Sequence, residues 1–123
     1  MGHLNFEEAR EALEQLYESS NEERRFILRL YVLYAFNDKY IRSGHQHSCK
    51  SDDYKYFVEN CKEMLKMPQT IPTLRAELYR EMGEFEKCME YLDTLETAGE
   101  HENKVREKIR EKALNRNLFA FRL

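Results

Sequence analysis

The stretch from Phe26 to Phe36 reads F-I-L-R-L-Y-V-L-Y-A-F, and Arg29 is its one charged residue. Folded as a helix, such a run has no polar face, so neighbours are expected on nearly every side. It is too short to cross a bilayer, which takes about 20 apolar residues, and charged residues flank it closely. It is predicted to be the central helix of a soluble, all-α domain.

The rest of the composition agrees with helix. Glu, Lys, Arg, Leu and Ala are abundant, whereas the 123 residues include only 4 Gly and 2 Pro, the two poorest helix formers. A chain of this length can bury a core without disulfides or metal. It is read as one helical domain over residues 1–123, with the alternative that it is the C-terminal part of a longer protein left open. The formal net charge of -3 argues against a dedicated nucleic-acid binder, which presents a basic face. Cys49, Cys61 and Cys88 are spread out with no C-x-x-C pattern. That spacing points to free thiols in a reducing compartment, hence to a cytoplasmic protein.

Working outward, Asn5 and Glu8 form a capping box before Phe6, Ala9, Leu13, Leu16 and Tyr17, which repeat at helical spacing. This first helix is expected to stop near Ser19-Ser20. Ser20 and Glu23 form a second capping box, from which the central helix is expected to run to about Ile41. The short link makes the two an antiparallel hairpin. Residues 42–51 form a loop, Ser51 caps a third helix, and Tyr54, Phe57, Val58, Cys61, Met64 and Leu65 make its apolar stripe. Pro68 ends it. Thr70 is expected to cap a fourth helix, Gly83 to break it, and Phe85 to open a fifth that Gly99 ends. A sixth, charge-dense helix spans about Glu102 to Asn115. The chain closes on the apolar run Leu118 to Leu123.

Within this series, Leu74 to Leu95 reads L-R-A-E-L-Y-R-E-M-G-E-F-E-K-C-M-E-Y-L-D-T-L. It resembles one tetratricopeptide repeat, a helix–turn–helix unit of about 34 residues, of the degenerate kind found singly in bacterial helical-repeat proteins. Ala76 is the small residue that lets two helices approach, Gly83 makes the turn, Phe85 re-enters the core, and Cys88 stands at a small-residue position. Arg75, Leu95 and Glu100 depart from the pattern, and no second copy follows at the same period. The resemblance implies stacked helical hairpins, in a tetratricopeptide-like array or an irregular bundle, that present a groove to a protein or peptide.

Two sets of residues are candidates for function. Exposed tyrosines and nearby arginines suit protein contacts, since Tyr and Arg dominate binding hot spots; the set is Arg29, Tyr34, Tyr40, Tyr56, Arg75, Tyr79 and Arg80. Separately, His45, His47 and Cys49 form H-x-H-x-C in a loop. In an extended segment these three point to one side, and imidazole with thiolate suits Zn²⁺ or copper. No Gly-rich phosphate loop is present, and Cys61 and Cys88 sit on apolar stripes where cysteine acts as a small core residue. The alternating tail of Phe119, Phe121 and Leu123 suits self-association or packing on the last helix. The reading that follows is a non-enzymatic protein-interaction module with no membrane span. The alternative is a metal-binding sensor or enzyme built on the His45-x-His47-x-Cys49 loop.

Overall fold

The structure, a computed structural model, describes residues 5–42, 51–96 and 99–116. Among these residues there are six helices and no strand: α1 (Phe6–Leu16), α2 (Glu22–Arg42), α3 (Asp52–Leu65), α4 (Pro72–Glu81), α5 (Phe85–Asp93) and α6 (Glu100–Leu114). They fall into two compact units, Met1–Gln69 and Thr70–Leu123.

In the first unit α2 packs against both α1 and α3. The capping box on α1 forms as the sequence predicts, with the Asn5 side chain accepting from Glu8 N–H and the Glu8 carboxylate accepting from Asn5 N–H. Ser51 accepts from Tyr54 N–H to cap α3. The start of α2 differs from expectation. Asn21, not Ser20, accepts from the Arg24 N–H, while the Ser20 hydroxyl turns back to the Leu16 carbonyl. Ser20 is thus spent on closing α1, and the next polar residue takes over the cap.

The core of this unit is aromatic. Phe36 lies among Phe6, Tyr40, Tyr54 and Phe57. Just above it, Lys39 reaches from α2 to Glu7 on α1 at 2.6 Å and to Asp53 on α3 at 3.4 Å. The hydrogen bond to Lys39 holds the Glu7 carboxyl below its usual range and the Lys39 ammonium above its own. The stretch 26–36 is not buried all round. Val32 and Leu33 are buried, but Ile27 is 38% and Tyr34 60% exposed. These two lie seven residues apart on one line of α2. Two flanking helices cover the opposite arc and leave this one to solvent.

In the second unit α4, α5 and α6 pack pairwise around Ala76, Phe85, Cys88, Leu92, Ile109 and Ala113. Ala76 is fully buried; with no side chain beyond Cβ it lets the helices come close. Ile71 occupies the cap position of α4 without a side-chain cap bond, ahead of Pro72 in the first turn. The N-cap therefore falls one residue beyond the Thr70 expected from sequence, and the Thr70 carbonyl accepts from Arg75 Nε at 2.8 Å. Proline at the first helical position removes one of the donors a cap would satisfy. The boundary at Gly99 also moves. α5 ends earlier, at Asp93, and Gly99 stands at the start of α6.

Gly83 closes α4 as the sequence predicts. Its N–H donates to the Arg80 carbonyl and the following Glu84 N–H donates to the Tyr79 carbonyl, the paired bonds of a Schellman turn. Its φ of 81° is left-handed, and a Cβ there would meet nothing within 4 Å. The cost of a side chain is therefore backbone strain alone. Gly83→Ala is expected to destabilise the protein by about 1–2 kcal/mol and Gly83→Asn by clearly less, a ranking that urea denaturation checks.

Cys61 and Cys88 are buried thiols. Burial, reinforced by the Glu77 carboxylate, pushes the Cys88 thiol up to about 11. Only the thiolate is a nucleophile. In the native protein near neutral pH, Cys88 is therefore expected to resist iodoacetamide and to react fully once unfolded. Peptide mass spectrometry of the alkylated chain reads this directly.

Candidate functional site

The first unit carries an open groove of about 370 Å³. Leu13 and Glu14 of α1 with its C-cap residue Tyr17 form one wall, and Tyr56, Glu59, Asn60 and Glu63 of α3 form the other. Arg29 of α2 completes the lining between them.

Local rules place these side chains. α1 ends at Leu16, and its last carbonyls need donors. Ser19 and Ser20 donate to the Leu16 carbonyl, and Arg25 serves the residues just past the helix: its Nε donates to the Tyr17 carbonyl at 2.8 Å and its Nη2 to the Glu18 carbonyl at 3.4 Å. The positive charge also suits the negative end of the helix dipole. Its guanidinium lies 4.5 Å from the centre of the Tyr17 ring, and that of Arg29, one turn on, lies 4.9 Å from the same ring. Two cations thus fix Tyr17 at the edge of the groove.

Arg29 is on the inward side of α2, in line with Leu33, Phe36 and Tyr40. A guanidinium there needs acceptors. Its Nη1 donates to Asn60 Oδ1 at 3.1 Å, and Asn60 Nδ2 donates back to the Arg29 carbonyl at 3.1 Å. Asn60, 2% exposed, therefore ties both the side chain and the backbone of Arg29 to α3. Among the described residues, Arg29 Nε is buried with no hydrogen-bond partner.

The mouth of the groove is charged. Each carboxylate has a cation near it on its own helix: Arg10 at 3.5 Å from Glu14, Lys62 at 3.3 Å from Glu59, and Lys66 at 2.8 Å from Glu63. The Lys66 hydrogen bond holds the Glu63 carboxyl below its usual range. The Arg10 guanidinium also lies 4.1 Å from the centre of the Tyr56 ring. Burial raises the Tyr56 hydroxyl pKa, and the Glu14 charge adds to it.

Of the residues singled out from sequence, Arg29 and Tyr56 meet in this groove. Tyr34 is exposed elsewhere on α2. Tyr40 is not the surface residue expected. It is 4% exposed, with its ring stacked on Phe36, because the hydrophobic gain of joining that cluster outweighs the cost of taking one hydroxyl out of water. Arg75, Tyr79 and Arg80 belong to the second unit. Tyr79 packs beside its core and against Tyr91. Arg80 is also buried rather than surface-borne, and forks onto the Glu77 carboxylate three residues earlier. A bidentate carboxylate is the partner that lets an arginine leave water.

His45, His47 and Cys49 lie outside the described residues, as does the tail from 117 onward. Among the described residues no group of three His, Cys, Asp or Glu side chains could hold a metal ion. None of the described helices is long and apolar enough to cross a membrane. No protein-family model, curated protein or solved structure significantly matches the chain.

Sequence reasoning missed Tyr17, Asn60 and the three glutamates of the groove. Asn60 left a signal: it sits three residues after Phe57 and four before Met64, so it interrupts an apolar stripe where only a bonded polar residue belongs.

Proposed function

We propose that this chain is a non-enzymatic protein-interaction module of the cytoplasm, and that the groove between α1 and α3 is where it receives a peptide segment of its partner. One observation carries the reading. Arg29, Tyr17 and Tyr56 are brought from three helices to one concavity, and two of them are already held in place by neighbouring side chains. Aromatic and arginine side chains fixed before binding lose little entropy on contact, and these residue types carry most binding energy at protein interfaces. The tetratricopeptide resemblance of residues 74–95 supports the same class of function, since stacked helical hairpins commonly present grooves to peptides. The buried thiols Cys61 and Cys88 suit a reducing compartment.

Selection of a random peptide library on the full-length chain tests the reading. Peptides should be enriched whose binding is lost in Tyr56→Ala, a variant whose fold is checked by circular dichroism. If no enriched peptide depends on Tyr56, the groove is not the docking site.

A further inference from the structure

We infer that the groove takes a basic segment, in which a lysine or arginine stands beside a bulky apolar side chain. This rests on the docking role proposed above and assigns its ligand chemistry.

Charge decides the sign. Glu14, Glu59 and Glu63 line the groove with one guanidinium, Arg29, whose Nη1 is engaged with Asn60, while the cations paired with the carboxylates, Arg10, Lys62 and Lys66, stand outside the lining. The three carboxylates and the cations near them keep between 41% and 71% of their side-chain surface in water. Such pairs are screened and exchange readily, so an incoming ammonium or guanidinium can take their place. An acidic ligand would meet three like charges instead.

The chain also shows how a cation is received at this place. Arg10 covers the Tyr56 ring at 4.1 Å while its Nε stands 3.5 Å from the Glu14 carboxylate. An aromatic face beside a carboxylate is the combination that recognises a guanidinium or ammonium. At 3.5 Å the Arg10 contact is long for a charge-assisted hydrogen bond, so Arg10 is a weakly held occupant of the position the ligand would use. Between the charged rims, Leu13 and the two tyrosine rings offer apolar surface for the neighbouring side chain of the ligand.

The test uses fluorescent peptides of alternating lysine and leucine, and the same peptides with glutamate for lysine, against the full-length chain. Fluorescence anisotropy should show binding of the lysine series that weakens with salt. Glu14→Lys with Glu59→Lys should weaken it by about tenfold or more. Glu22→Lys with Glu23→Lys, outside the groove, changes net charge equally and should have a clearly smaller effect. Equal losses in the two double variants would mean only non-specific attraction and overturn the inference. Tyr56-dependent binding of the glutamate series, or acid-rich peptides from the library, would overturn the basic chemistry while leaving the groove as a docking site. Absence of any Tyr56-dependent peptide would remove both.

Discussion

Phe36→Ala is expected to lower the stability of the first unit by about 3–5 kcal/mol. Phe36 is 5% exposed and is the ring on which three helices converge. Phe57 of α3 stacks on it at 4.3 Å between centroids, Phe6 of α1 meets it edge-on at 5.6 Å, and Tyr40 stacks from the next turn of α2 at 6.1 Å. Truncation removes the contacts of a whole ring and leaves a cavity that stiff aromatic neighbours refill poorly. Aromatic pairing adds a further increment beyond area. Phe36→Leu keeps most of the volume and should cost clearly less. The chain has no tryptophan, so far-ultraviolet circular dichroism in urea is the natural readout. Hydrogen exchange then assigns the loss to α1, α2 and α3. A change below about 1 kcal/mol would mean that the cluster does not hold the unit together.

That centre was only half legible in the sequence. The run around Arg29 marks the middle of α2 as a stretch without a polar face, because composition alone sets how much of a helix must be covered. It does not say how many neighbours are present to cover it, and Ile27 and Tyr34 show that the covering is partial. Caps were read correctly where one local hydrogen bond decides them, at Asn5 and Ser51. Elsewhere the start falls one residue later than the polar residue suggests, at Asn21 after Ser20 and at Ile71 after Thr70. Gly83 was legible because a left-handed turn has a strong residue preference. Gly99 was misassigned because glycine serves at either end of a helix.

The groove was harder to foresee. Arg29 stands out in the sequence as a lone charge, and Tyr56 by its residue type alone. What joins them is a bond across 31 residues, from Arg29 to Asn60, and periodicity carries no information about partners that distant. Nothing in the amphipathic pattern of α1 sets Glu14 apart from Glu11, yet only Glu14 lines the groove. That distinction comes from where α3 lies against α1, which follows from tertiary packing.

Asn60→Leu is expected to cost the first unit about 2–4 kcal/mol. The side chain of Asn60 is small and buried, so leucine adds apolar surface with little change in volume; the loss would come from Arg29. Its Nη1 and its carbonyl would each lose a partner at once, and its Nε already has none among the described residues. A guanidinium so placed must either stay under-bonded or swing out and drag its turn of α2 away from α3. If this account holds, removing the charge as well should recover much of the loss. Arg29→Met with Asn60→Leu is expected to be more stable than Asn60→Leu alone, with a coupling of about 1–3 kcal/mol in the double-mutant cycle. Urea denaturation of the four proteins measures it. Additive effects would show that the pair is a coincidence of packing and not the tie between α2 and α3. The same cycle bears on binding. The double variant keeps Tyr56, Glu14 and Glu59 in place but removes one of the three side chains that the groove holds ready for a ligand, so a peptide that depends on Tyr56 should bind it clearly more weakly than the native chain. Unchanged binding would mean that Arg29 serves the fold alone and does not touch the ligand.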